Sequence, residues 1–234
     1  NAVFLLPEAL AQPQDSIAEG LAQSVNLGVG QFCTSPGLAI GVASGDFDRL
    51  AAALRSRFVS TATGTMLTPA ITLAYCNAVS KIGTIGGIRA TTGVGDVPLP
   101  TLFETSARNF LANRELHHEV FGPSTILIRC ESRAEVEQVA RGLEGSLTAT
   151  LHGTQNDLRA HTVLLKILTR KVGRIIFNGF PTGVEVAAAM QHGGPYPSTT
   201  DPRFTSVGTA AIVRFARPIC FQDFPAEFLP PELS

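Results

Sequence analysis

Three short segments carry residue types that could make and break covalent bonds. The first is Gly28-Val29-Gly30-Gln31-Phe32-Cys33-Thr34-Ser35-Pro36-Gly37. A cysteine thiolate is a strong nucleophile. The glycines on either side let backbone come close to a ligand. Nearby N–H groups could hold an oxyanion formed at a carbonyl carbon. The plain alternative is that Cys33 is a small buried hydrophobe. The second segment is His118-Glu119-Val120-Phe121-Gly122-Pro123. Glu119 is either a solvated loop carboxylate or an acceptor for ribose hydroxyls, with Phe121 offering an aromatic face. The third is Gln191-His192-Gly193-Gly194-Pro195-Tyr196-Pro197. His192 is either a turn residue or a group that polarises a thiol or a carbonyl. Phe180, Pro181 and Thr182 follow an expected strand end, where α/β sites gather. They either line a pocket or form a structural loop.

Other chemistry is missing. No G-x-G-x-x-G follows an expected strand, and no G-x-x-x-x-G-K-[ST] occurs, so no self-contained nucleotide site is visible. There is no G-x-S-x-G elbow. The five histidines (His117, His118, His152, His161 and His192) lack H-E-x-x-H and any compact ligand spacing. A metal site is not expected.

The elements that must position these segments follow from periodicity and caps. Ile17, Leu21 and Val25 recur every four residues and predict a helix over 14–26, which Gly28-Val29-Gly30 ends. Residues 38–43 suit a buried strand. Asp46 is the expected N-cap of a helix carrying Phe47, Leu50, Leu54 and Phe58 on one face. Thr68-Pro69 reads as N-cap and first helical position, with Ile71, Tyr75, Val79 and Ile82 as the stripe. Residues 83–100 read as irregular, with a short strand near Ile88. Strands are expected over 102–105, 124–130 and 146–152. Ser132 and Glu135 fit a capping box before a helical face of Val136, Val139, Ala140 and Leu143. A helix over 156–172 and a strand over 174–178 follow. Beyond 179 Gly, Pro and Thr dominate, with one strand expected at 210–215. Alternating strands and helices argue for an α/β fold: an open, mostly parallel twisted sheet with flanking helices.

Composition narrows the class. Of 234 residues, 44% are hydrophobic and 16% charged, below the usual charged share of about 25%. The chain is therefore not disordered, and part of its surface is expected to be covered. A net charge of -1 leaves no footprint for nucleic acid or an anionic membrane. Cys33, Cys76, Cys130 and Cys220 are widely spaced, which favours free thiols in a cytoplasm over a disulfide framework. No apolar run reaches the ~18 residues of a membrane-spanning helix. The start, Asn1-Ala2-Val3-Phe4-Leu5-Leu6-Pro7-Glu8, lacks the basic region of a signal peptide. It reads as an interior strand, and the chain as part of a longer protein.

Taken together, the segments resemble the aldehyde dehydrogenase superfamily. Gly30-Gln31-Phe32-Cys33-Thr34 matches its G-Q-x-C-T element, and Glu119-Val120-Phe121-Gly122-Pro123 its E-x-F-G-P element, in family order. Three further stretches look like the bacterial α-ketoglutaric semialdehyde (2,5-dioxovalerate) dehydrogenases. These are Phe177-Asn178-Gly179-Phe180-Pro181-Thr182-Gly183-Val184-Glu185-Val186, the His192–Pro197 loop and the tail from Arg214 to Pro225. The opening resembles the stretch after the family's general-base glutamate, except that the usual Pro after the Asn is Ala2.

The resemblance implies a catalytic domain over 1–209, without the coenzyme-binding domain, followed over 210–234 by a strand and tail that associate subunits. It implies that Cys33 attacks an aldehyde, passing through a thiohemiacetal and a thioester to the acid, with NADP or NAD as hydride acceptor. Glu119 would bind the nicotinamide ribose and Phe121 would lie beside the nicotinamide. His192 would tune Cys33, and Phe180, Pro181 and Thr182 would line the aldehyde pocket. The implied partners are a small aldehyde and further copies of the chain, and the implied substrate is 2,5-dioxovalerate. The alternatives are a fatty or aromatic aldehyde, or a folding and association module without turnover. The isolated chain is expected to reduce no NAD(P)+.

Overall fold

A computed structural model describes every residue except Gln14, Thr182 and Ser234. Seven strands form one sheet: β1 Ala2–Leu5, β2 Leu38–Val42, β3 Arg89–Thr92, β4 Thr101–Ser106, β5 Ser124–Cys130, β6 Ser146–His152 and β7 Val172–Phe177. Their spatial order is β3-β4-β5-β2-β1-β6-β7. Only β3 runs antiparallel, at one edge. The opening strand therefore lies inside the sheet, paired with β2 on one side and β6 on the other.

Successive side chains in a strand point to opposite faces. In β1, Phe4 points into one core cluster, and Val3 and Leu5 into the other. With helices on both faces, central parallel strands read as continuous apolar runs. The first face is covered by α4 (Pro69–Gly83), α5 (Ala107–Ala112), α6 (Arg133–Gly142) and α8 (Thr162–Leu168). The second is covered by α1 (Pro7–Leu10), α2 (Asp15–Asn26) and α3 (Gly45–Ser60). Leu21, Leu50, Leu54 and Phe58 are wholly buried on that second face. Each contributes roughly 2 kcal/mol of burial, so truncating one to Ala costs about 2–5 kcal/mol.

The caps agree with expectation at α4, where Thr68 Oγ1 accepts from Ile71 N–H and Pro69 opens the helix. At α3 the cap is Ser44, whose Oγ accepts from Phe47 N–H at 3.1 Å. Asp46 sits instead in the first turn with Asp48, where a carboxylate meets the positive end of the helix dipole. Ser132 caps α6, but Glu135 reaches the N–H of Glu131 rather than that of Ser132. A full capping box forms at α7 (Gln155–Ala160), between Thr154 and Asp157. The single helix expected over 156–172 is two, because His161 leaves helical geometry at φ -110° and ψ 33°. Its buried Nδ1 meets the Asp157 carbonyl at 2.8 Å.

The strand expected at 210–215 is a correction. Thr209–Phe215 forms a 3-10 helix with no buried residue. A strand needs a neighbouring backbone to hydrogen-bond, and no described strand pairs there. Among the described residues no helix is long and apolar enough to cross a membrane. Nor does any group of three or more His, Cys, Asp or Glu gather as for a metal ion.

Candidate active site

The turn that presents Cys33 is built by left-handed backbone. Gly28, Val29 and Gly30 follow α2 with φ of 57°, 58° and 68°. A β-branched residue with such a φ is strained by roughly 1–3 kcal/mol. Gln31 holds the turn: its Nε2 donates to the Gly28 carbonyl at 2.9 Å, and its Oε1 accepts from Leu67 N–H at 2.9 Å. Cys33 is exposed. Its backbone N–H donates to no acceptor among the described residues.

Both motif glycines are explained by contact. A Cβ on Gly30 would lie 2.1 Å from the Gly122 carbonyl, and one on Gly122 would lie 2.3 Å from the Tyr75 ring. The two loops thus press backbone against backbone. Tyr75 Oη donates to the Leu99 carbonyl at 2.7 Å, with the Pro123 carbonyl at 3.3 Å. Burial pushes the Tyr75 phenol up to about 12, so it remains a neutral donor that anchors the second loop.

Between these loops lies a cavity of about 600 Å³ whose lining includes Cys33, Glu119 and Phe121. It opens at the amino ends of β1, β2, β5 and β6, where Ala2, Leu38, Ser124 and Ser146 line it. Glu119 and Phe121 are exposed on its wall, the latter by 40%. A carboxylate and a free aromatic face beside a thiol fit a ribose and a flat heteroaromatic ring.

His192 comes from the far end of the chain. Its Nε2 lies 3.2 Å from Cys33 Sγ. Glycine contacts again set the approach. A Cβ on Gly173 would lie 2.0 Å from the Gly193 carbonyl, and one on Gly194 would lie 2.4 Å from that of Ser146. The His192 loop is therefore laid backbone-to-backbone on the starts of β6 and β7. Thr205, itself buried, fixes His192 by accepting its N–H at 2.8 Å. Burial lowers the His192 pKa, and the Arg174 cation lowers it further. The imidazole beside Cys33 is thus held neutral.

Cys220 is also exposed, whereas one thiol differs sharply. Cys130 is buried at the end of β5, and burial pushes it up to about 12, which makes it inert.

Phe180 and Pro181 do not line the cavity. The Phe180 ring packs 4.8 Å from that of His152, at the carboxyl end of β6, and covers Gly20. Pro181 is buried, and its carbonyl accepts from Arg174 Nη2 at 3.1 Å. Thr182 lies outside the described residues.

Two polar residues that sequence reasoning passed over lie around Cys33 and His192. Asn1 Nδ2 donates to the Cys33 carbonyl at 2.8 Å, and Asn1 Oδ1 accepts from the Thr148 N–H at 2.9 Å and hydroxyl at 3.0 Å. Arg174 follows Gly173, against which the Gly193 carbonyl next to His192 is packed. The available signal was one charged residue within the otherwise apolar Val172–Phe177.

No protein-family model matches the chain. In sequence it is similar to alpha-ketoglutaric semialdehyde dehydrogenase 2 of Azospirillum brasilense, 45% identical over 240 residues. It is also similar to alpha-ketoglutaric semialdehyde dehydrogenase of Acinetobacter baylyi, 41% identical over 241 residues. Both matches take in 100% of the chain and 46% of the relative, so the chain spans about half the length of the curated relatives it matches. In fold it is similar to a salicylaldehyde dehydrogenase from Pseudomonas putida solved with salicylaldehyde. That likeness has a TM-score of 0.72 at 18% identity, over 98% of this chain and 47% of the other.

Proposed function

We propose, from the premise that this chain is a relative of the aldehyde dehydrogenases alike along its whole length, that it supplies the nucleophile for oxidising an aldehyde to a carboxylic acid. The observation that carries this reading is an exposed thiol 3.2 Å from an imidazole nitrogen, on a cavity that also presents Glu119 and Phe121. The names of the two relatives support an acidic semialdehyde, 2,5-dioxovalerate, which would leave as 2-oxoglutarate.

Cys33 loses its proton toward His192 Nε2, and its sulfur attacks the aldehyde carbon. The resulting thiohemiacetal oxygen would accept from the Cys33 N–H, which has no other acceptor among the described residues. Glu119 and Phe121 would hold a nicotinamide coenzyme, by the ribose hydroxyls and the ring face. When bound, that coenzyme supplies the hydride acceptor that turns the thiohemiacetal into a thioester. Water then releases the acid and frees Cys33. Splitting one hard displacement into two easier steps is the gain of covalent catalysis.

The 234 residues alone are proposed to reduce no NAD(P)+, since they carry no phosphate-binding fingerprint. The working protein is proposed to be a cytoplasmic homo-oligomer, which suits its free thiols and the exposed Ile212, Phe215 and Phe228 of the tail.

The test is coenzyme reduction by the full-length protein. Turnover with 2,5-dioxovalerate well above that with a long-chain or aromatic aldehyde is expected. A preference for the long-chain or aromatic aldehyde would overturn the substrate, and no reduction with any aldehyde would overturn the activity.

A further inference from the structure

The turn that carries Cys33 is closed at its ends and open at its middle. Ser35 N–H donates to the Phe32 carbonyl at 3.0 Å, so Phe32 to Ser35 form a β-turn with Cys33 and Thr34 at its centre. A β-turn gives the carbonyl of its central peptide, here that of Cys33, no partner within the turn. Asn1 supplies one. Its Nδ2 donates to the Cys33 carbonyl at 2.8 Å and reaches the Ser35 carbonyl at 3.4 Å.

The other end of the Asn1 amide is held as firmly. Oδ1 accepts from the Thr148 N–H at 2.9 Å and from the Thr148 hydroxyl at 3.0 Å. A primary amide has two donor hydrogens and two acceptor lone pairs, and here every one is engaged. The partners also fix which way the amide faces, because a backbone N–H can only donate and a carbonyl can only accept. Thr148 is 1% exposed within β6, and the Asn1 carbonyl accepts from Leu38 N–H at the start of β2 at 3.2 Å. The amide therefore bridges the buried sheet to the turn, on the wall of the cavity. An Asp lacks the donors for this bridge, and a Ser lacks the second polar atom.

We propose that Asn1 is the positioning residue of the nucleophile and that Thr148 is the anchor through which it acts. Holding the Cys33 carbonyl fixes the peptide on one side of the thiol-bearing carbon. The N–H on the other side has no acceptor among the described residues and is left for the oxyanion. The approach to the turn is strained at Val29, with φ of 58°. Strained backbone persists only where its surroundings over-determine it, and the Asn1 bridge is such a restraint.

The assignment rests on reading Cys33 as the nucleophile of aldehyde oxidation, so it is tested by two measurements on the full-length protein, one of which needs no turnover. In steady-state oxidation of 2,5-dioxovalerate, Asn1→Ala is expected to lower kcat about 100-fold, as a misplacement of about 1 Å does, with KM changed less than about twofold. Thr148→Val keeps the shape and the backbone N–H but removes the hydroxyl. It is expected to lower kcat about fivefold, and Thr148→Ser to restore it. The double variant Asn1→Ala/Thr148→Val should be no slower than Asn1→Ala, because the hydroxyl acts only through the amide. In hydrogen exchange, the Ser35 amide that closes the turn should exchange about tenfold faster in Asn1→Ala and faster than native in Thr148→Val, with the amides of β5 unchanged. Additive losses in the double variant would mean that the two residues act separately and would overturn the proposal. A raised KM at unchanged kcat would make Asn1 a substrate contact and overturn it too, as would an unchanged Ser35 amide. If Asn1→Ala does not fold, kcat and Ser35 exchange in Thr148→Val and Thr148→Ser decide by the same criteria. If the native protein oxidises no aldehyde, the dehydrogenase reading fails by itself, and Ser35 exchange still decides whether Asn1 holds the turn.

Discussion

The sheet, from Ala2 to Phe177, and the segment after it are held together by different forces. In the sheet, central strands are buried on both faces and several helix starts are capped by side chains. After Phe177 there is no described strand, only short 3-10 turns, and large apolar side chains such as Ile212 and Phe215 stand 70% and 80% exposed. Yet the second region delivers His192 to a thiol presented by the first. It does so by glycine backbone laid on Gly173 and on the Ser146 carbonyl. Side-chain burial builds the frame, and backbone close-packing brings the partner to it.

The largest expected effect separates the two contributions. Cys33→Ala in the full-length protein should lower aldehyde oxidation by at least about 10⁴-fold, as loss of a covalent nucleophile does. His192→Ala should slow the first turnover by only about 10- to 100-fold, as loss of a general base does, with little change in substrate affinity. Because His192 is held neutral, its proton-accepting form should persist below the usual histidine range, and the wild-type rate should fall only on the acid side of neutrality. Single-turnover rates would check both. Equal losses in the two variants would mean that the tail supplies the chemistry rather than its adjustment.

Glycines test the contrast directly. Gly30→Ala combines a φ of 68° with a Cβ 2.1 Å from Gly122 backbone. It should cost about 3 kcal/mol or more in denaturant unfolding, because neither backbone can yield. Gly194→Ala meets the Ser146 carbonyl at 2.4 Å without a positive φ. It should leave global stability within about 1 kcal/mol while hydrogen-exchange protection falls only around residues 191–206. A global loss as large as that of Gly30→Ala would show the tail to be part of the same cooperative unit.

The same division explains what could be read in the sequence. Strands 124–130 and 146–152 and the α4 cap are legible because buried faces and caps leave periodic or paired residue types. The Cys33, Glu119 and Phe121 segments are legible as motifs, and the cavity brings them together. The split at His161 is not legible, since one backbone angle breaks an otherwise helical pattern. The roles of Asn1 and Thr148 are not legible either. They depend on which strands become neighbours, and β1 beside β6 is a pairing across more than 140 residues. At 210–215 an apolar run suggests a strand, but a run alone supplies no edge to pair with.

The seam between the two regions should respond to acid. His152 ends β6, is 4% exposed and carries the Phe180 ring of the following segment. Burial lowers its pKa to about 4, although a Gly179 backbone hydrogen bond opposes that. The unfolded chain, with an ordinary value near 6.5, therefore binds a proton that the native state refuses. Stability is full above about pH 6.5 and falls as pH drops to about 4, by roughly 3 kcal/mol from this group. Urea midpoints from pH 7 to 4 should show that slope, and His152→Gln should flatten it. An unchanged slope in the variant would place the acid sensitivity elsewhere.

The smallest effect sharpens the contrast most cleanly. Thr154 Oγ1 accepts from Asp157 N–H at 3.1 Å, and Asp157 Oδ2 accepts from Thr154 N–H at 3.0 Å. Asp157 Oδ1 also accepts from Glu8 N–H at 3.2 Å, and the Thr154 hydroxyl donates to the Glu8 carboxylate. The box thus ties α7 to α1 as well as capping it. Thr154→Ala leaves the Asp157 N–H without its acceptor and should cost about 1–2 kcal/mol. In the tail, Arg203 and Asp201 also share several hydrogen bonds, yet the Arg203 side chain is 80% exposed. Arg203→Ala should change stability by less than about 0.5 kcal/mol, since water replaces what is lost. Similar hydrogen bonds would then be worth different amounts according to whether they close a buried frame. If instead the two variants lose equal stability, the tail is held as the sheet is, by side chains, and the glycine contacts are not what positions His192.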